Sequence, residues 1–209
     1  MYNKFLKRWL DIWFSLLLII LFFPLFILVS IICIVSFKGR ILFKQQRVGK
    51  DEKIFTIYKF ITMKPLTNFN SKDSDRLTPA GRFLRRSSLD ELPQLFNILK
   101  GDMSLIGPRP LLIKYLPYYY DHEKIRHHIR PGLTGLAQVN GRNNASWDER
   151  LSYDCKYVKN LSFTMDVSIF FKTIIQIFKA ENIQADPRDQ RADLDEERKQ
   201  SGFITTPDK

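Results

Sequence analysis

The 209-residue chain carries 33 Lys and Arg against 22 Asp and Glu, a formal net charge of +11, with 44% hydrophobic residues. That length supports one domain with a real core. Two cysteines, Cys33 and Cys155, exclude a disulfide framework and point to a reducing cytoplasm. The three histidines, His122, His127 and His128, lack zinc-ligand spacing and are expected at the surface. Residues 183–209 carry a net charge of −2, which leaves about +13 on the body. A basic body fits nucleic acid, anionic lipid or a phosphorylated substrate equally well, so charge alone does not choose.

From Ile12 to Phe37 there is no charged residue, and Leu, Ile, Phe and Val dominate. The run is long enough to span a hydrocarbon core as a helix. It is too long for a signal peptide, and no small-residue cleavage site follows it. Pro24 interrupts it, removing one helix hydrogen bond and favouring a kink. Both flanks are basic, with Lys4, Lys7 and Arg8 before and Lys38, Arg40, Lys44 and Arg47 after. A single span is expected to show that excess on one side only. A bent helix that enters and leaves by the cytoplasmic face satisfies both observations; a kinked spanning helix is the competing reading.

Residues 41–47 and 53–60 read as two strands joined by a turn at Gly49-Lys50-Asp51, a β-hairpin. Residues 68–75 are polar and read as a loop. Pro79 to Arg86 reads as a short helix with Thr78 as its N-cap and Pro79 at the first position. Leu92, Leu95, Phe96, Ile98 and Leu99 recur at helical spacing and stop at Gly101, a natural C-cap. Leu111 to Tyr120, broken by Pro117, suits a helix at a headgroup boundary or in a core. Residues 130–135 read as a loop and 137–142 as a short extended turn. Asp148 to Asn160 looks helical, and apolar Ser168 to Phe178 is a second candidate for membrane-surface contact. After Asn182 charges of both signs mix and aliphatic residues thin out, so 183–209 reads as a disordered tail.

The chemistry concentrates between Ser87 and Pro110. Asp90 and Glu91 are adjacent carboxylates at a helix start, with Arg82, Arg85 and Arg86 before them and a Gly107-Pro108-Arg109-Pro110 turn after. Ser88 and Glu91 have capping-box spacing, which makes Ser88 one candidate N-cap; Asp90 is the other, and it places Pro93 where no hydrogen bond is lost. Either way the carboxylates lie where a helix start favours anions. Acidic residues in a first turn are common for that reason alone. A carboxylate facing a phosphoanhydride is the functional alternative. It needs repulsion relieved by arginines such as Arg82, Arg85, Arg86 and Arg109, or by a divalent cation, for which magnesium suits oxygen ligands shared with phosphates.

Three blocks in this order, Tyr58–Met63, Ser88–Pro110 and Arg130–Arg142, resemble the small monotopic phosphoglycosyl transferases of the bacterial sugar-transferase family. The resemblance runs from the N-terminus to about residue 182. It looks closest to the type that transfers phospho-N,N'-diacetylbacillosamine and related N-acetylated sugars. It implies an α+β fold: a re-entrant membrane helix over 1–40, then a cytoplasmic catalytic domain over 41–182. That domain would hold a short β-hairpin and amphipathic helices at the membrane interface. The enzyme would sit in the bacterial inner membrane. The implied reaction has two steps. Asp90 attacks a UDP-sugar and releases UMP; polyprenol (undecaprenyl) phosphate then takes the sugar phosphate, starting a surface glycan or a glycoprotein glycan. Glu91 would help hold Mg2+ with Asp90 or handle a proton. Arg85 and Arg109 would bind phosphate, while Lys59, Gln138 and Arg142 would shape the nucleotide-sugar pocket. Pro24 would break the membrane helix.

Three positions depart from the family pattern: Phe23 in place of a serine before Pro24, Ile61 in place of a basic residue, and Leu136 in place of a tryptophan. They bear on membrane geometry and the sugar pocket, not on the acidic pair. Relatives that use UDP-glucose or UDP-galactose often carry further N-terminal membrane helices and another domain. Neither is present in these residues, which favours the N-acetylated sugar over the hexose. A membrane-tethered basic protein that captures nucleic acid or anionic lipid is the remote rival. It predicts salt-sensitive binding without turnover, and no nucleic-acid motif accompanies the charge.

Overall fold

The computed structural model describes residues 2–65, 76–141, 145–178 and 193–202. After a π-helical turn at Tyr2–Leu6, the apolar run forms two helices, α1 (Lys7–Leu21) and α2 (Phe23–Ser36), bent by 64°. Pro24 occupies the first turn of α2, where a missing N–H costs nothing. The bend therefore forms with Phe23 in place of the family's serine. Among the described residues no single helix is long and apolar enough to cross a membrane; the bent pair passes that test only jointly.

The polarity of α1 is inverted relative to a soluble protein. Its buried side chains are Lys7, Asp11 and Ser15, at a spacing of four, while Trp9, Trp13, Leu17, Ile20 and Leu21 face outward. Lys7 and Asp11 of this stripe are bound across sequence, while the Ser15 hydroxyl has no partner among the described residues. Lys7 Nζ lies 2.6 Å from Asp166 Oδ2, and Asp11 Oδ1 accepts from the Ser104 hydroxyl and the Leu105 N–H, both at 3.0 Å.

Strands β1 (Leu42–Val48) and β2 (Ile54–Phe60) form the expected antiparallel hairpin around a 3-10 turn at Lys50–Glu52. Phe60 packs with Val29, Cys33 and Phe37 of the α2 segment and with Leu84. Thr78 caps α3 (Pro79–Arg86) by accepting from the Gly81 N–H at 3.0 Å, as read from sequence. The acidic pair follows in a 3-10 turn, Leu89–Glu91, and then α4 (Gln94–Lys100) ends at Gly101 with φ 99. Neither capping expectation holds there. Ser88 has a left-handed backbone, φ 56, with no side-chain cap, and the residue before α4 is Pro93. The pair sits in a separate tight turn because Pro93 starts the α-helix three residues later than periodicity suggests.

Residues 130–135 are not simply a loop: β4 (Gly132–Thr134) pairs in parallel with β3 (Ser104–Ile106). A Cβ on Gly132 would lie 2.1 Å from the Gly107 nitrogen, so glycine is what lets the two backbones meet. The expected extended turn at 137–142 is instead the helix α5 (Leu136–Gly141) over its described part. Between these strands Ile113–Tyr118 and Lys124–His128 form 3-10 turns. Helix α6 (Trp147–Lys159) begins in a capping box, with Ser146 and Glu149 each serving the other's N–H. Helix α7 (Phe163–Phe178) directs Phe163, Phe171 and Ile175 outward.

The expected disordered tail is corrected over 193–202, where α8 (Leu194–Gln200) docks on the domain; the polar loop at 68–75 and the rest of the tail lie outside the described residues. Leu194 is fully buried with Tyr115, Tyr119 and Leu151. The Arg198 guanidinium binds Glu123 at 2.8 Å and Asp148 at 2.7 Å and lies 4.2 Å from the Tyr120 ring. One leucine and several long-range ion pairs dock the helix, and neither leaves a periodic signal. His127 is likewise buried rather than at the surface, between Arg126 and the Tyr119 ring. Burial, then Arg126, push its pKa down to about 3, so it is neutral. Removing one partner of a buried pair costs about 3–5 kcal/mol. Arg198→Ala is therefore expected to lower the melting temperature by roughly 6–20 °C, read by thermal unfolding in detergent.

Candidate active site

Strand β2 packs on α4 through Ile57 against Leu95 and Ile98, and one amide locks the two together. Asn97 Nδ2 donates to the Thr56 carbonyl at 2.7 Å, and Asn97 Oδ1 accepts from the Tyr58 N–H at 3.1 Å. Asn97 is fully buried, so this two-point bond fixes the acidic turn against the hairpin. Lys59, one residue along β2, then reaches Glu91: its Nζ lies 2.6 Å from Glu91 Oε1. Arg109 Nη2 donates to the same oxygen at 3.1 Å. Arg109 comes from the turn after β3, held by Gly107 N–H to Thr134 O and Gly132 N–H to Pro108 O, both 2.9 Å. The buried Arg126 guanidinium adds a bond to the Arg109 carbonyl at 2.7 Å, while Asp154 holds Arg126 at 2.9 Å. Arg85, from α3, donates through Nε to Thr62 Oγ1 at 3.0 Å.

These contacts set two adjacent carboxylates apart. For Glu91, burial opposes ionisation, but Lys59 and Arg109 outweigh it and hold the pKa well below the usual carboxylate range. Asp90 is 8% exposed. Burial and then the Glu91 charge push its pKa up to about 6, against the pull of Lys59, Arg85 and Arg109. Burial likewise lowers the Lys59 pKa, with Glu91 pulling it back up. One acid is thus fully committed to cations, and the other is desolvated and under-neutralised.

The fold brings together Lys59, Arg85, Asp90, Glu91 and Arg109 of the expected set. Gln138 sits apart on α5, close to Gly135, with both side-chain polar atoms buried and unpartnered. Arg142 lies outside the described residues. Pro24 lies at the helix bend. Sequence reasoning missed Asn97, Thr62 and Arg126, which orient the site, and Arg47 and Gln94, which line a crevice with Lys59, Arg109, Ile57 and Pro110. Arg47 could have been found from register: it pairs with Phe55, which puts it on the Ile57 and Lys59 face of the hairpin.

Among the described residues, no three His, Cys, Asp or Glu side chains are grouped to hold a metal by themselves. Two carboxylates beside a cationic wall fit a magnesium ion shared with a diphosphate, which needs one or two carboxylates plus substrate oxygens. With Glu91 engaged, Asp90 is the carboxylate with charge to spare.

The family pattern described as "Bacterial sugar transferase" matches residues 2–180. The sugar transferase EpsL of Bacillus subtilis is 48% identical over 147 residues, covering 69% of this chain and 73% of that protein. The undecaprenyl-phosphate galactose phosphotransferase of Salmonella typhimurium is 40% identical over 191 residues, covering 82% and 40% of the two chains. A relative from Aeromonas hydrophila, named for undecaprenyl-phosphate N-acetylgalactosaminephosphotransferase activity, is 40% identical over 185 residues, covering 81% and 43%. The chain thus spans about two fifths of the last two relatives. With the acidic turn, its cations and the paired β3 and β4 turns in place, this chain belongs to the bacterial sugar transferase family and is an enzyme.

Proposed function

We propose that the protein transfers a sugar-1-phosphate from a UDP-sugar to polyprenol phosphate through a covalent intermediate on Asp90. The observation that carries this is the division of the acidic pair: Glu91 bound to Lys59 and Arg109, Asp90 buried and incompletely neutralised. Asp90 Oδ attacks the β-phosphorus; the bond to the bridging oxygen breaks and UMP leaves with that electron pair. A phosphate oxygen of the lipid then attacks the same phosphorus, and the Asp90 carboxylate leaves unchanged. Each step exchanges one reactive phosphate linkage for another, so positioning and charge stabilisation are the protein's main tasks. Lys59, Arg85 and Arg109 supply positive charge around the phosphates, and Glu91 keeps two of those cations aimed. A magnesium ion held by Asp90 and the diphosphate would add charge neutralisation.

A lipid acceptor calls for a membrane, and α1 and α2 supply the anchor. Their outward apolar faces, the 64° bend and the basic residues at both ends support a re-entrant pair that leaves the bilayer on the cytoplasmic side. Phe83 of α3, Phe96 of α4 and Phe171 of α7 extend an outward apolar surface suited to the interface. For the sugar we favour an N-acetylated hexose, supported by the similarity to the Aeromonas relative. A hexose is the second reading, favoured by the relative named for galactose. UMP release from a panel of UDP-sugars decides between them.

Asp90→Asn is expected to abolish UMP release and the phosphosugar mass added to the intact protein. Unimpaired turnover overturns the mechanism. Glu91→Gln is expected to slow release by roughly 10²- to 10³-fold.

In the metal-free protein the Asp90 carboxyl, pushed up to about 6 by burial and by Glu91, makes folding stability fall as it ionises. A carboxyl whose pKa is raised on folding binds more protons folded than unfolded, so stability falls as pH rises from about 4 to about 6. Asp90→Asn should therefore melt higher than the native protein at pH 7.5 while being inactive.

For topology, Asn3→Cys and Lys50→Cys are both expected to react with an impermeant thiol reagent only from the cytoplasmic side. Labelling from opposite sides would establish a true span.

A further inference from the structure

The crevice beside the acidic pair holds a buried donor to which the described residues offer no acceptor. Gln94 is 2% exposed, and its Nε2 has no hydrogen-bond partner there. Leaving a buried amide hydrogen unbonded is unfavourable, so such a group in a cleft marks a place where a ligand completes the bonding. Gln94 follows Asp90 by four residues and Glu91 by three, and Leu92 and Pro93 between them are helical. The amide therefore falls on the same side as the pair.

The rest of the lining narrows the ligand. Arg47, Lys59 and Arg109 contribute three cations, while Ile57 and Pro110 supply an apolar floor. Lys59 and Arg109 share the Glu91 carboxylate, which leaves the crevice an excess of positive charge. The space is about 20 Å³, room for roughly one oxygen-sized group. A neutral donor at the end of a cationic slot suits a non-bridging phosphoryl oxygen: it fixes that oxygen's direction without adding charge that would hold the product.

We propose that Gln94 Nε2 donates a hydrogen bond to a phosphoryl oxygen of the substrate, making the crevice of Arg47, Lys59, Gln94 and Arg109 a phosphate-orienting subsite. This rests on the phosphoglycosyl transfer reading. Two sources offer that oxygen, the diphosphate of the UDP-sugar and the monophosphate of the lipid acceptor.

The test uses the full chain in lipid nanodiscs with magnesium present, comparing the native protein with Gln94→Met and Gln94→Glu. Gln94→Met keeps the length and removes the donor; Gln94→Glu keeps the shape, carries the test if the first variant fails to fold, and turns the donor into an anion. UDP titrated by calorimetry should bind Gln94→Met roughly 10- to 100-fold more weakly and Gln94→Glu more weakly still. The unliganded melting temperature of Gln94→Met should be unchanged or higher, since an unbonded buried amide has been removed. If UDP affinity holds but the KM for polyprenol phosphate rises by that factor in the second half-reaction, the oxygen belongs to the acceptor and the subsite stands. Unchanged affinity for both substrates overturns the proposal. A lowered melting temperature in that case assigns the amide to a structural water. Failure of the native protein to bind UDP would instead count against the proposed function itself.

Discussion

The polar stripe on the buried side of α1 is the constraint from which the rest follows. Beside the packing of Leu18 and Ile19 on the Ile57, Leu95, Ile98 and Met103 cluster, that helix grips the domain through polar side chains, whose burial is costly unless they are bonded. Lys7 meets Asp166, which also accepts from the Tyr2 hydroxyl at 2.5 Å and the Tyr157 hydroxyl at 2.6 Å. Asp11 holds the start of β3 through Ser104 and Leu105. Arg8 donates to the Ile98 and Leu99 carbonyls at the end of α4. These last two grips fall on the two elements that carry the site. One begins just after the acidic turn, and the other runs directly into Gly107–Pro110. The N-terminal helix is therefore part of the framework that sets Arg109 against Glu91, and a variant lacking it would lose more than an anchor.

That framework produces an electrostatic division sequence cannot display. Asp90 and Glu91 are neighbours with nearly the same intrinsic acidity. Glu91 sits where a strand lysine and a turn arginine converge; Asp90 is buried, and among the described residues its carboxylate has no hydrogen bond or ion pair of its own. On the proposed mechanism, the acid bound to its cations orients them, and the acid they neutralise only in part is the one left to react. Lowered stability at neutral pH is the cost of the second condition, and a site held from several directions tolerates it.

Legibility in the sequence followed the range of the interaction. The hairpin, the Thr78 cap and the Gly101 stop depend on local chemistry and were readable residue by residue. The acidic pair was readable as chemistry, but its capping geometry was not, because Ser88 turns left-handed and Pro93 delays the helix. Strands of three residues carry no usable alternation, so β3 and β4 emerge only from their pairing. Helix α8 rests on Leu194 and on ion pairs to residues 50 to 81 positions away, a distance at which pattern is silent. No motif singles out Arg126 in the sequence, yet it is buried against Asp154 and holds the backbone of Arg109.

For the proposed reaction, the same geometry bears on how a water-soluble donor and a lipid acceptor would reach one phosphorus. The acidic turn lies between α3 and α4, and each exposes a phenylalanine, Phe83 and Phe96, beside the outward apolar faces of α1 and α2. Phe96 also packs edge-on against Phe26 of α2, which ties the helix after the acidic pair to the bent segment. On the proposed topology those aromatic rings sit at the interface, so Asp90 lies at headgroup depth, where a polyprenol phosphate presents its charge. Arg109 is still 47% exposed on the side where the hairpin and the β3–β4 turns meet. A UDP-sugar can then enter from water while the acceptor arrives along the bilayer. The proposed covalent intermediate would let the two arrive one after the other. On that mechanism the buried, under-neutralised Asp90 is the group that carries the intermediate.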